Sequence, residues 1–287
     1  MNLEVVDRPE DARHWVEAYQ RKNEVVGVVP TMGALHRGHF SLIERACNEC
    51  DRVVVSIFVN PTQFAPGEDF AKYPRPLEED LRAYRRYGVG MVFHPAPEAM
   101  YATDYCTWVE VDGLAEGLEG EYRPGHFRGV ATVVLKLFHA LPANFAYFGQ
   151  KDAQQLAIIR RMVQDLDMGI EVVACPTVRE EYGLALSSRN RYLAPEERAA
   201  APALFQALRA GRAAFHDGIR TAEGVTRAAK NNLAEAPLFR VQYIECVDPE
   251  RFVVPSGTLS GRELIVAAAH LGTTRLIDNL SLEEGTV

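Results

Sequence analysis

Val25-Val26-Gly27-Val28-Val29-Pro30-Thr31-Met32-Gly33-Ala34-Leu35-His36-Arg37-Gly38-His39 decides how the chain is read. Residues 25–29 form a short apolar, β-branched run that ends at Pro30, which predicts a buried strand. The glycine-containing turn behind it leads into a helix expected over residues 39–50. Strand, turn and helix in that order open a βαβ unit. His36 and His39 stand three residues apart, a spacing that puts both rings on one face of a first helical turn. Gly38 removes a Cβ where a ligand would approach the backbone, and Gly33 lets the loop turn sharply. A helix N-terminus offers unpaired N–H groups and partial positive charge, which makes an anion site. Two imidazoles beside it suit a phosphate that gains charge in a transition state. The plainer alternative is two unrelated histidines, one capping and one solvated; their position between strand and helix weighs against it.

Outward from this turn the pattern repeats. Residues 53–60 read as a second buried strand and 61–76 as a long proline-rich loop of the kind that carries function. Helices are expected over 77–87, 126–141 and 152–166, and strands over 90–93, 107–111, 145–148 and 171–174. The alternation predicts an α/β protein with a doubly wound, Rossmann-like parallel sheet, whose ligands bind outside the carboxyl ends of the strands. After about Pro176 the texture changes. Helices expected over 195–217 and 221–235 precede strands over 240–246, 263–269 and 275–279, which predicts a smaller C-terminal α+β domain. The domains are placed at 1–177 and 178–287.

Composition narrows the function. The chain has 287 residues, 47% hydrophobic and 24% charged, as in a soluble globular protein with room for two domains. No apolar run approaches the ~18 residues of a membrane span, and the acidic first twenty residues do not resemble a secretory leader. A cytoplasmic protein without a membrane partner is expected. The net charge of −8 and the absence of a basic run argue against a nucleic-acid partner. Of the five cysteines, Cys47 and Cys50 form a CxxC late in a helix; redox pairs open a helix, so packing is the expected role. Walker A, GxGxxG, HExxH and GxSxG sequences are absent.

His36-Arg-Gly-His39 resembles the HxGH signature of the nucleotidylyltransferase superfamily. Four further segments narrow the resemblance: Phe58-Val-Asn-Pro-Thr-Gln-Phe64, Arg123-Pro-Gly-His-Phe-Arg-Gly129, Phe148-Gly-Gln-Lys-Asp-Ala-Gln-Gln155 and Leu186-Ser-Ser-Arg-Asn190. In this order and spacing, across essentially the whole chain, they resemble the pantoate–β-alanine ligase family. The resemblance implies ATP-dependent condensation of (R)-pantoate with β-alanine, with AMP and pyrophosphate released and a pantoyl adenylate as intermediate. The alternative is a nucleotidylyltransferase that transfers AMP or CMP to a phosphorylated substrate.

By the same resemblance, Met32, Gly33, Ala34, Leu35, His36, Arg37, Gly38 and His39 line the ATP phosphates, with His39 as catalytic proton donor and His36 beside it. Gly149, Gln150, Lys151 and Asp152 supply a cation and its turn; a solvated Lys151 at a helix start and an N-capping Asp152 are equally consistent with the local sequence. Leu186, Ser187, Ser188 and Arg189 form a second phosphate clamp, or a loop cap, in a domain that closes over the active site. Val178 lies against the adenine. Gln63 and Gln155 bind pantoate, with Asn60, Arg123 and His126 close by, although surface glutamines and a helix-start Arg–His pair are commonplace. Mg²⁺ is expected with ATP, with Glu79 and Asp80 as candidate ligands or, equally, as acids of a first helical turn. A homodimer is implied. Tyr182 stands where the family usually has Asp.

Overall fold

The structure, a computed structural model, describes residues 3–65 and 68–283, so Pro66 and Gly67 of the expected long loop lie outside it. In chain order the elements are β1 (Glu4–Val6), α1 (Pro9–Gln20), β2 (Val26–Thr31), α2 (Arg37–Glu49), β3 (Arg52–Ile57), α3 (Leu77–Tyr87), β4 (Met91–Phe93), α4 (Pro97–Met100), α5 (Glu119–Tyr122), α6 (His126–Ala140), β5 (Phe145–Gly149), α7 (Ala153–Asp165) and β6 (Glu171–Cys175), followed by α8 (Pro195–Ala200), α9 (Ala203–His216), α10 (Ala222–Leu233), β7 (Phe239–Val247), β8 (Leu264–Leu271) and β9 (Thr274–Ser281). They fall into two compact units. One comprises Met1–Glu116, Gly120–Gly149 and Ile158–Cys175; the other comprises Gly117–Glu119, Gln150–Ala157 and Pro176–Val287. The division is therefore not a single cut, since the Lys151 turn belongs to the second unit.

In the first unit, six strands pair in the order β1-β4-β3-β2-β5-β6, all parallel. The chain runs from β2 outward through β3 to β4, then returns to β5 on the other side of β2. The strand order thus reverses between β2 and β5, and the crevice at such a switch point is where open α/β sheets bind ligands. Both faces are covered. Val29, Val53, Val55, Ile57 and Val92 share a core with Leu42, Ile43 and Ala46 of α2 and Leu81 and Tyr84 of α3. Their alternating neighbours Val28, Val54, Met91 and Ala146 are equally buried. That two-sided burial is why these strands read as continuous apolar runs. Gly27 sits under this layer; a Cβ there would come within 2.8 Å of the Cys50 Sγ. Cys50 thus packs against a strand, with the Tyr147 hydroxyl 3.2 Å away.

Three expectations need correction. The HxGH turn follows the second strand in the chain, because the three-residue β1 precedes β2. Residues 107–111 are extended but join no sheet; the Val109 N–H is satisfied by the Thr132 hydroxyl at 3.0 Å instead. The single helix expected over 195–217 is two, α8 and α9, because Pro202 supplies no N–H to continue the ladder.

In the second unit, β7, β8 and β9 form an antiparallel sheet with neighbours in chain order. Leu204, Ala207, Leu208 and Phe215 of α9 and Val225, Ala229 and Leu233 of α10 bury against Ile244, Ile265, Ala267 and Leu276 of the sheet. Each such large side chain contributes roughly 1.5–3 kcal/mol of transfer free energy. No helix among the described residues is long and apolar enough to cross a membrane.

Candidate active site

The turn after β2 is built by side chains of β2 and α3 and a backbone carbonyl of β3. The Thr31 hydroxyl donates to the Ser56 carbonyl at 2.7 Å and accepts the Gly33 N–H at 3.1 Å. Gly33 has φ +77° and Ala34 φ +54°, two consecutive left-handed residues that reverse the chain. Asp80, from the first turn of α3, holds this reversal: its two carboxylate oxygens accept the N–H groups of Ala34 at 2.9 Å and Leu35 at 3.1 Å. Asp80 is 3% exposed, and Gly33 passes so close that a Cβ would lie 2.9 Å from its Oδ2. Burial, with the charge of Asp80 adding to it, pushes the Tyr84 hydroxyl well above the ordinary tyrosine range, so it stays protonated against this loop.

The two histidines then cap α2 reciprocally. His36 Nδ1 accepts the Gly38 N–H at 3.1 Å, and His39 Nδ1 accepts the His36 N–H at 3.3 Å. The rings lie 4.1 Å apart, tilted by 33°. An Nδ1 that accepts carries no proton, so each neutral ring bears its hydrogen on Nε2 as a donor. Arg37 is exposed on the same turn.

The loop after β3 is fixed just as tightly. Asn60, 1% exposed, donates from Nδ2 to the Gly129 carbonyl and the Gln63 Oε1, both at 3.1 Å. Its Oδ1 accepts from the Thr62 hydroxyl and from the Tyr101 hydroxyl, both at 2.9 Å. Burial raises that tyrosine to about 12. Asn60 is thus a buried hub that shapes the loop. Gln63 Nε2 reaches the Met32 Sδ at 3.2 Å, so its amide joins this loop to the HxGH loop. His126 Nδ1 donates to the Gln63 carbonyl at 2.8 Å, and its Nε2 accepts from Arg123 at 3.0 Å. Arg123 in turn pairs bidentately with Glu68 at 2.7 and 2.9 Å. Burial alone would raise the Glu68 carboxyl, but the guanidinium holds it below its ordinary value. Arg123 and His126 therefore hold the backbone of Gln63. Gly129, the last residue of the 123–129 segment, owes its place to packing that the sequence does not disclose: a Cβ there would collide with the Thr62 carbonyl.

In the second unit, Lys151 sits in a short turn, Gln150–Asp152, directly after Gly149 of β5; its Nζ is 3.8 Å from the Asp152 carboxylate, and its side chain is 20% exposed. Gln155, one turn into α7, is half-buried. Leu186 donates its N–H to the Val178 carbonyl at 2.9 Å. The Ser187 hydroxyl accepts the Arg189 N–H at 3.3 Å and caps the turn Ser188–Tyr192, and the Ser188 and Arg189 side chains are partly exposed. Tyr182 is 74% exposed.

The expected acidic pair does not act as a pair. Asp80 is committed to two backbone N–H groups and Glu79 is exposed one residue earlier. Among the described residues no cluster of three or more His, Cys, Asp or Glu is arranged to hold a metal. Magnesium as a guest of protein carboxylates does not fit this pair.

The sequence model of the pantoate-beta-alanine ligase family matches residues 4–281. Pantothenate synthetase from Acidobacterium capsulatum is 55% identical over 90% of this chain and 86% of its own length. The crystal structure of pantothenate synthetase from Thermus thermophilus superposes with a TM-score of 0.91 at 46% identity, covering 97% of this chain and 99% of that one. A pantoate-beta-alanine ligase from Francisella tularensis, described as complexed with beta-gamma ATP and beta-alanine, superposes with a TM-score of 0.80 at 34% identity over the whole of both chains. With a switch-point sheet, a capped HxGH turn and this match from residue 4 to residue 281, the chain belongs to the pantoate-beta-alanine ligase family and is an enzyme that joins pantoate to β-alanine through a carbon–nitrogen bond.

Proposed function

We propose that the reaction runs in two steps at the carboxyl ends of β2, β3 and β5. In the first, a pantoate carboxylate oxygen attacks the α-phosphorus of ATP; the new O–P bond forms as the bond to pyrophosphate breaks. In the second, the neutral amine of β-alanine attacks the acyl carbon. The C–N bond forms, the C–O bond to AMP breaks with its electron pair on the AMP phosphate, and the amine nitrogen gives up a proton to solvent. The carboxylate nucleophile is already ionised near neutral pH, so the first step needs alignment and charge stabilisation more than a strong base.

The observation that carries this reading is the reciprocal capping of His36 and His39, which fixes both rings with Nε2–H as donor at a helix N-terminus. Donors of that kind suit the α- and β-phosphate oxygens, and His39 is assigned a hydrogen bond from Nε2–H to the departing pyrophosphate; because its Nδ1 accepts the His36 N–H, the ring is neutral and keeps its proton, in place of the proton transfer the resemblance implies. Met32 to Leu35 and Gly38 present backbone to the phosphates. Lys151 adds a point charge and Ser187, Ser188 and Arg189 add hydroxyl and guanidinium donors. Gln63 and Gln155 hold pantoate through amides that do not compete for the phosphate charge. Val178 lines the adenine. The Francisella relative's ATP and β-alanine complex supports these ligand classes. Magnesium, if carried in with ATP, would supply neutralisation of phosphate charge; none of the residue roles given above depends on a protein carboxylate binding it. The enzyme is assigned to the cytoplasm as a homodimer, the state that sedimentation would read.

Staged addition tests the reading. ATP and pantoate alone should release pyrophosphate in amounts close to the enzyme present, and β-alanine should then free AMP and form the amide. A nucleotide kept in a stable product, with no amide on adding β-alanine, would overturn it in favour of nucleotidyl transfer.

A further inference from the structure

Two consecutive residues of β9, Asp278 and Asn279, hold both segments of the second unit to which phosphate contacts are assigned. The Asn279 Nδ2 donates to the carbonyls of Gln150 and Lys151, each at 2.9 Å. A carboxamide NH₂ has two hydrogens, and here both go to successive carbonyls of one turn, so the Lys151 backbone is clamped from outside its own element. Asp278, 4% exposed, accepts Arg179 bidentately at 2.6 and 2.9 Å, and also the Asn279 N–H at 2.8 Å. Arg179 donates in turn to the Gly183 carbonyl at 3.0 Å and the Asn279 carbonyl at 3.2 Å, and lies 3.8 Å over the Phe205 ring. It forms a bridge with Ala185, the residue before Leu186-Ser187-Ser188-Arg189.

We propose that Asn279 is a positioning residue for Lys151, and that the Asp278–Arg179 pair ties the 186–189 loop to the same dipeptide, so that the two phosphate-binding segments are set as one. Lysine is a point charge on a flexible stem. Its value to a transferring phosphate therefore depends on where its Cα is held, and Asn279 holds the two carbonyls that flank that Cα. Both Asn279 hydrogens face backbone, so its action on ligand passes through the turn.

The proposal rests on the assignment of Lys151 to the phosphates, and a double-mutant cycle separates the two. The readout is kcat/KM for ATP in pantothenate formation by the full chain, for wild type, Asn279→Ala, Lys151→Ala and the double variant. Asn279→Ala should lower kcat/KM at least tenfold with KM for β-alanine within about twofold. The same substitution in the Lys151→Ala background should cost less than about twofold. Equal losses in both backgrounds, or no loss in either, would overturn the positioning role. If Lys151→Ala alone were as active as wild type, the phosphate assignment itself would fall. Asn279→Asp keeps the shape but aims acceptors at carbonyls, so it should be at least as impaired as alanine; full activity in it would also overturn the proposal. Urea midpoints identify a variant that does not fold, and the cycle is then read from the other Asn279 substitution.

Discussion

Replacing Asp80 by Asn swaps one carboxylate oxygen for NH₂ and tests how the catalytic turn is held. The Asp80 carboxylate accepts two buried N–H groups, from Ala34 and Leu35, at 2.9 and 3.1 Å. Asparagine keeps one acceptor and turns an NH₂ toward the other N–H, donor against donor. One charge-assisted hydrogen bond is lost, about 1.5–3 kcal/mol, and the other loses its charge. The buried N–H left unpaired costs a comparable amount when it finds no water, which puts the total at roughly 2–4 kcal/mol. Ala34 is held at φ +54°, so the loop has a conformation to relax toward once the anchor weakens. Part of the loss should then appear as displacement of Met32 to His36 rather than as global unfolding. Two assays read the parts: the urea midpoint at constant slope, and kcat/KM for ATP in pantothenate formation. At about 1.4 kcal/mol per factor of ten, a loss of 10- to 100-fold in kcat/KM is expected, with a lowered midpoint. The exposed neighbour Glu78, changed to Gln, should move neither. An Asp80→Asn enzyme with wild-type midpoint and wild-type kcat/KM would refute the buttress.

Other outcomes follow from the same structure. His39→Ala should lower kcat by about 10²-fold or more, the scale of losing one hydrogen-bond donor to transition-state charge, and leave ATP affinity within about tenfold by isothermal titration. Burial alone would raise the Glu263 carboxyl, but the Ser260 and Gly261 N–H groups and the Ser260 hydroxyl more than offset it, so it lies below its ordinary value. A depressed carboxyl stabilises the fold above its unfolded pKa of about 4.3, and that stability is lost as pH falls through the folded value. Glu263→Gln should therefore lower the urea midpoint at pH 7 and flatten its fall below about pH 4.3. Iodoacetamide at neutral pH should modify the exposed Cys106 first, read by peptide mass spectrometry. Burial raises the thiols of Cys47, Cys50 and Cys175, and that of Cys246 to about 12, so these four should react only on unfolding.

What the sequence discloses here follows the range of the forces involved. The span of α3, 77–87, and those of β2, β4, β5 and β6 within a residue or two are set by local periodicity and by Gly88 in the left-handed conformation at the helix end; the three-residue β1 carries too short a pattern to be read, and the run expected as strand to residue 60 leaves the sheet after Ile57. Pro30 does not end β2, because β5 pairs with β2 only at Gly27 and Val28; beyond them β2 has a single neighbour and tolerates a missing donor. Residues 107–111 have strand composition, but a ladder needs a partner strand and the segment meets a threonine hydroxyl instead. At the site, the histidine turn is legible because both caps lie within three residues. The duties of Asp80, Asn60, Arg123 and Asn279 are not, since their partners stand 45 or more residues away for Asp80, 69 for the Asn60–Gly129 bond, 63 for the His126–Gln63 bond that Arg123 backs, and 128 for Asn279. Residue type announced polar chemistry at these positions; only the fold says that it is spent on the protein's own backbone and neighbouring side chains.

The most direct test follows oxygen. Pantoate labelled with ¹⁸O in its carboxylate, incubated with the enzyme, ATP, Mg²⁺ and β-alanine, should yield pantothenate together with AMP carrying one ¹⁸O on its phosphate, because the attacking oxygen stays with phosphorus when the amide forms. Pyrophosphate should carry none. Amide formation with unlabelled AMP, label in pyrophosphate, or no amide at all would contradict attack by the carboxylate on the α-phosphorus.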